Sequence, residues 1–161
     1  LNRYMTVMTK VIMRHHGTVD KFIGDAIMAF WGAPLCDPTH AINACTAALQ
    51  MRAGLVSLNR ELREQGLPEV SFRIGINTGE VIAGNMGSEE LFDYTVIGDA
   101  VNVASRLEGA NKRFGTDILI SASVYERVAD SVDARPLGTI DVKGKAEAVE
   151  VYALQGVRNS P

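Results

Sequence analysis

Four groups of residues carry side chains with the chemistry of a reactive site. Asp25 follows Gly24 between two apolar runs, where a carboxylate on a hairpin tip is held rigidly enough to bind a hard cation, although Gly-Asp also suits a turn for conformational reasons alone. Lys21 stands in an otherwise apolar run, where an unpaired ammonium is expensive to bury. An edge-strand lysine that blocks sheet-to-sheet association explains it equally well. Asn102 and Arg106 share one face if their segment is helical, an amide beside a guanidinium suited to phosphate and sugar oxygens or, alternatively, a solvated face with Arg106 paired to Glu108 or another surface acid. Lys143 and Lys145 flank Gly144 on a turn from which ammonium groups can reach a polyphosphate or simply face water. The glycines at 75, 79, 84 and 87 match neither G-x-x-x-x-G-K-[ST] nor G-x-G-x-x-G, so both nucleotide fingerprints are rejected. His15, His16 and His40 lack ligand partners at metal spacing, and no G-x-S-x-G elbow is present.

The elements that must position these groups follow from periodicity. Leu1 to His16 has helical spacing, with Gly17 as the expected stop. The runs 18–23 and 26–31 form a hairpin around Gly24-Asp25, and residues 38–65 form the longest helix, with Asp37 or Thr39 as cap and Gly66 as stop. Val70 to Asn77 alternates and is expected to turn at Thr78-Gly79-Glu80 into Val81 to Gly84 as a second hairpin. Tyr94 to Ile97 is a strand, Ala100 to Lys112 a helix, Ile118 to Ile120 a strand, and Ser121 caps a helix to about Ala129. Strands at 137–142 and 149–154 close the chain. The expected class is α+β, a mostly antiparallel sheet covered by helices.

Length and composition limit the alternatives. A chain of 161 residues, 47% apolar and 22% charged, suits one globular domain, here taken as 1–156 with a short tail at 157–161. A net charge of −3 gives no basic field for nucleic acid or anionic membranes, so neither is an expected partner. No apolar run approaches a membrane span. Cys36 and Cys45 lack metal or forced disulfide spacing and read as reduced thiols of a cytoplasmic protein, although the parent chain could still be membrane-anchored. The chain opens inside a helix at Leu1, as if cut from something longer.

Four blocks in order, K-F-I-G-D (21–25), R-I-G-I-N-T-G-E-V-I-A-G (73–84), G-D-A-V-N-V-A-S-R-L-E (98–108) and V-K-G-K (142–145), resemble the catalytic domain of class III nucleotidyl cyclases. The resemblance implies a ferredoxin-like βαββαβ core with added C-terminal strands. It implies cyclisation of a nucleoside triphosphate, with Mg²⁺ or Mn²⁺ as cofactor, in a head-to-tail homodimer controlled by a regulatory region elsewhere in the parent chain. By the same resemblance Asp25 matches the second of two metal aspartates, and Lys21 the lysine that reads adenine where guanylyl cyclases carry glutamate. Asn102 matches the ribose-orienting asparagine, Arg106 the arginine that stabilises the transition state, and Lys143 the lysine on the terminal phosphates.

Two departures accompany the match. Thr95 occupies the second base-reading position, usually Asp in adenylyl and Cys in guanylyl cyclases, and its subgroup includes bicarbonate-responsive adenylyl cyclases. Its hydroxyl can accept from the adenine amino group, so ATP is the expected substrate. The segment with the first metal aspartate, also the family's central strand, is expected upstream of Leu1, and without it this stretch alone is expected to be inactive or severely impaired. In the family each site combines metal aspartates from one subunit with Lys, Thr, Asn and Arg from the other. Lys21 and Asp25 therefore belong to opposite sites. A catalytically inactive nucleotide-binding or dimerisation module of the same fold, or a guanylate cyclase, are the alternatives, and Asp20 reads as a solvated neighbour.

Overall fold

The computed structural model describes residues 1–90 and 92–158, with Phe92 as backbone only; 159–161, the end of the expected tail, lie outside the described residues. Its elements are α1 (Asn2–Arg14), β1 (Thr18–Ile23), β2 (Ala26–Phe30), α2 (His40–Glu64), β3 (Ile74–Ile76), β4 (Ile82–Gly87), β5 (Phe92–Ile97), α3 (Asp99–Phe114), β6 (Ile118–Ser121), α4 (Ala122–Val128), β7 (Val132–Ile140) and β8 (Val149–Val157). The α+β class is as expected.

The main sheet has the order β3-β6-β8-β7, with β3 parallel to β6 and the other pairs antiparallel. Alternation along β6 supplies both of its faces. Ile118 and Ile120 join Cys45, Ala48, Val124, Val128 and Leu154 in the core under α2 and α4, while Leu119 joins Val103, Leu107, Val151 and Ala153 under α3. Burying β6 on both faces makes it the centre of the domain.

Two expectations about strands are corrected. The stretch 70–84 is not a hairpin: β3 pairs with β6, and β4 pairs with β5 in register Gly84↔Thr95. A parallel pair needs a long crossover, and here α3 lies within it, packed on β3. Gly75 is what permits that packing, since a Cβ there would lie 2.3 Å from the Glu108 amide nitrogen and 2.4 Å from the Ala104 carbonyl oxygen. The second correction is β7, which begins at Val132 rather than Leu137 and runs through Pro136. Proline lacks the ladder donor, but β7 is an edge strand and its register shifts between Pro136 and Gly138, so the missing N–H is tolerated.

Helix ends follow local chemistry. Asp37 Oδ1 accepts from the Thr39 amide at 2.9 Å and from its hydroxyl at 2.6 Å ahead of α2, Gly66 leaves the helix with φ +71°, and Ser121 caps α4 by accepting from the Val124 amide. At the end of α1 the left-handed residue is His16 (φ +69°), not the expected Gly17. Gly17 is needed for space, because a Cβ would lie 2.6 Å from the Trp31 ring, whose Nε1 donates to the His15 carbonyl at 2.9 Å.

Candidate active site

Lys21, Asp25, Thr95, Asn102, Arg106 and Lys143 lie on three supports: the β1/β2 hairpin with β5, the outer face of α3, and the turn before β8. On the first, the β1/β2 register slips between Val19↔Ala29 and Lys21↔Met28, which leaves Asp20 as the extra residue of a β-bulge. A bulge bends a strand and re-aims a side chain. The Asp20 side chain is fully buried, and its Oδ2 accepts from the Thr95 hydroxyl at 2.6 Å and from the Val96 amide at 3.4 Å. Lys21 Nζ lies 3.6 Å from Asp20 Oδ1, with about half of the lysine side chain exposed at 48%. One carboxylate thus joins Lys21 on β1 to Thr95 on β5. Asp20 is therefore not the solvated neighbour expected from sequence, and its burial is set by a partner 75 residues away.

Asp25 is exposed at the tip of the same hairpin, after Gly24 in a left-handed turn conformation (φ +62°). It lies close enough to Tyr4 on α1 for its charge, after burial of the phenol, to push the Tyr4 pKa up. No group of three or more His, Cys, Asp or Glu forms a metal cluster among the described residues. Asp25 offers a single hard oxygen donor set, a chemistry that fits Mg²⁺ or Mn²⁺ when substrate phosphates supply further oxygens.

On α3, Asn102 and Arg106 are both exposed, as their spacing requires. The expected alternative for Arg106, an ion pair with Glu108, is not formed: Glu108 pairs instead with Arg73 at 3.1 Å, and Arg106 has no ion-pair partner among the described residues. Side chains the sequence reading did not single out fix the helix. Asn77 donates to the Ala100 carbonyl at 3.0 Å and accepts from Ser121 Oγ at 2.7 Å, holding the start of α3 to the sheet. Buried Asn111 donates to the Ile74 carbonyl at 2.9 Å and accepts from Thr116 Oγ1 at 2.8 Å, holding its end. Asn77 lies inside the 73–84 block, but nothing in its local pattern separates a sheet-tying amide from a ligand-binding one.

Lys143 is exposed on a turn completed by Gly144 (φ +88°). Lys145 Nζ lies 3.4 Å from Asp99 Oδ2 at the first residue of α3, so this turn is tied to the helix that carries Asn102 and Arg106. Among the described residues no hydrogen bond or ion pair joins Asn102, Arg106, Lys143 or Asp25 to Lys21 or Thr95. The contacts that are made are of two kinds: Lys21 and Thr95 meet through Asp20, and the turn that carries Lys143 meets α3 through Lys145 and Asp99.

Comparison with known proteins gives this arrangement a family. The adenylate and guanylate cyclase catalytic domain matches residues 1–156. The chain is 43% identical over 157 residues to adenylate cyclase 1 of Rhizobium meliloti, covering 98% of this chain and 24% of that protein. It is 42% identical over 162 residues to an adenylate cyclase of Anabaena cylindrica, covering 96% of this chain and 31% of that protein. The chain thus spans a third or less of these two relatives. Among solved structures, the adenylyl cyclase CyaB from P. aeruginosa superposes with a TM-score of 0.87 at 36% identity, covering 99% of this chain and 81% of the other. The guanylyl cyclase Cya2 does so with a TM-score of 0.90, also at 36% identity, covering 98% and 79%. Likeness of fold therefore does not choose the base. The α+β architecture, the four ordered sequence blocks and these matches make the chain a member of the class III family of adenylate and guanylate cyclase catalytic domains.

Proposed function

We propose that this domain converts ATP to 3′,5′-cyclic AMP and pyrophosphate, as the catalytic part of a longer signalling protein. The observation that carries the choice of ATP is Lys21 and Thr95 on one buried carboxylate, an ammonium and a hydroxyl set side by side. In this reading Lys21 donates to a ring nitrogen of adenine and Thr95 accepts from its amino group. The relatives named adenylate cyclase in Rhizobium meliloti and Anabaena cylindrica support the same choice.

The reaction joins the ribose 3′-oxygen to the α-phosphorus and breaks its bond to the bridging oxygen of the departing pyrophosphate, while the hydroxyl proton passes to solvent. Charge builds on phosphoryl oxygens, so positioning and cationic donors carry most of the rate. Asn102 orients the ribose, Arg106 faces the charge that builds at the α-phosphate, and Lys143 holds the terminal phosphates. The absence of an ion-pair partner for Arg106 among the described residues supports its role, because a guanidinium already committed to a carboxylate would be a weaker phosphate donor. Asp25 would ligate Mg²⁺ or Mn²⁺ together with triphosphate oxygens. Divalent ions, when bound, neutralise the phosphates and lower the pKa of the attacking hydroxyl.

We read the active form as a head-to-tail homodimer, as the family resemblance implies, in which each site combines Asp25 of one subunit with Lys21, Thr95, Asn102 and Arg106 of the other. Exposed Phe22 and Ile23 beside the hairpin tip, and the exposed cross-strand pair Ile82 and Ile97, supply apolar surface for such an interface. No helix among the described residues is long and apolar enough to cross a membrane. The ATP substrate and two thiols outside any disulfide accord with the cytoplasm. The test is cyclic AMP and cyclic GMP formation by the full-length protein with Mn²⁺. Cyclic AMP is expected to dominate; cyclic GMP as the main product would reverse the choice of base, and no product from either nucleotide would leave an inactive module.

A further inference from the structure

Asp20 is the one fully buried carboxylate in the ion pairs above, and so far it has served only as the group that Lys21 and Thr95 share. A carboxylate is costly to bury unless partners hold it. Its Oδ2 has two donors, the Thr95 hydroxyl and the Val96 amide, while Oδ1 accepts no hydrogen bond among the described residues and faces Lys21 Nζ at 3.6 Å. The bulge in β1 is spent on placing this group between the two residues read as base contacts.

We propose that Asp20 is a positioning residue that sets nucleotide specificity by fixing the direction of the hydrogen bond at Thr95. The inference rests on the reading that Lys21 and Thr95 face the base. A hydroxyl has one proton and two lone pairs, whereas a carboxylate only accepts. At 2.6 Å from Asp20 Oδ2 the Thr95 hydroxyl must give its proton to Asp20, which leaves its oxygen able only to accept from a ligand. Lys21, an ammonium, can only donate. The pair therefore offers one acceptor beside one donor. Adenine answers with its 6-amino donor and its N1 acceptor. Guanine presents the 6-oxo acceptor and an N1–H donor, so both contacts set like against like, and a site built on buried hydrogen-bonding groups rejects such a mismatch strongly. Without Asp20 the Thr95 hydroxyl can turn and serve either base.

The experiment compares kcat/KM for ATP, GTP and inosine triphosphate in the full-length protein and in its Asp20→Asn and Asp20→Ala variants. Inosine triphosphate shares the sugar and phosphates of ATP and differs at the 6-position and N1 of the base. The ratio of ATP to inosine triphosphate is expected to fall by about 10- to 100-fold in Asp20→Ala, and by a smaller factor in Asp20→Asn, whose amide can either accept from or donate to the Thr95 hydroxyl. A change in this ratio distinguishes specificity from a structural tie between β1 and β5, which would lower turnover with every nucleotide alike. Where turnover is too slow, the ratio is read from dissociation constants of the same nucleotides. An unchanged ratio in a variant that melts cooperatively overturns the proposal, and so does loss of cooperative melting in both variants, which would make Asp20 a folding residue. Lys21→Ala and Thr95→Val separate the two levels. If they shift the ratio and the Asp20 variants do not, positioning by Asp20 fails alone; if none shifts it, base reading by Lys21 and Thr95 fails as well.

Discussion

Replacing Gly75 by alanine probes how the sheet sets the position of Asn102 and Arg106. The added Cβ would lie 2.3 Å from the Glu108 nitrogen, 2.4 Å from the Ala104 oxygen and 2.8 Å from the Leu107 Cβ, so two of its three neighbours are helix backbone that cannot rotate away. Ordinary contact is about 3.5 Å, so α3 must retreat from β3 by about 1 Å. Asn111 opposes that retreat through its bond to the Ile74 carbonyl at 2.9 Å, and Asn77 through its bond to the Ala100 carbonyl at 3.0 Å. Overpacking of this kind costs about 1–3 kcal/mol. At about 2–4 °C per kcal/mol for a domain of this size, a melting temperature lower by about 2–12 °C is expected. Displacing positioning groups by about 1 Å costs on the order of 100-fold in rate. Gly75→Ala in the full-length protein should therefore lower kcat for cyclic AMP formation by about that factor at a temperature where the variant is still folded. Calorimetry and steady-state kinetics measure the two effects separately. Activity within about threefold of the parent, with the melting temperature unchanged, would refute the reasoning that the Gly75 contact fixes α3.

Four further outcomes follow from the same geometry. Mixing Lys21→Ala and Asp25→Ala subunits should restore part of the activity that each variant lacks alone, measured as cyclic AMP formed by the mixture; no recovery would contradict the shared-site dimer. Asn111→Leu strands the Ile74 carbonyl and the Thr116 hydroxyl, and should lower stability by about 1–3 kcal/mol in denaturant titrations. Burial pushes the Cys45 thiol up to about 12, so at pH 8 a thiol reagent should modify exposed Cys36 alone until the chain unfolds; rapid labelling of Cys45 in the native protein would contradict its burial. Tyr4 is harder to ionise when folded, first from burial and then from the charge of Asp25, so the stability linked to it is complete below the ordinary phenol value of 10.0 and is lost as pH rises through its higher folded value. Asp25→Asn should lower the Tyr4 midpoint, followed by NMR of its ring, but leave it above the ordinary value because burial persists.

The helices α1 to α4 and the β1/β2 hairpin were legible from spacing and caps, because those signals lie within a few residues of one another. The pairing of β3 was not. Val70 to Gly84 has the pattern of a hairpin, yet β3 finds its partner in Ile118–Ile120, more than forty residues on, through a crossover that a local pattern does not encode. The site divides in the same way. Arg106 and Asn102 share a face by helical arithmetic, whereas the choice of Glu108 for Arg73 rather than Arg106 depends on where β3 meets α3.

The sequence by itself determined the inventory of chemistry: a carboxylate at a hairpin tip, an ammonium beside it, an amide and a guanidinium on one helix face, and four ordered blocks that specify a family. Those features survive without coordinates because they are set by residue type and short spacing. Only the tertiary structure decided what Asp20 does, since nothing near it in the chain distinguishes a solvated aspartate from a buried one. Its burial arises from a one-residue bulge in β1 and a hydroxyl on β5, 75 residues away, which meet only when the hairpin docks on that strand.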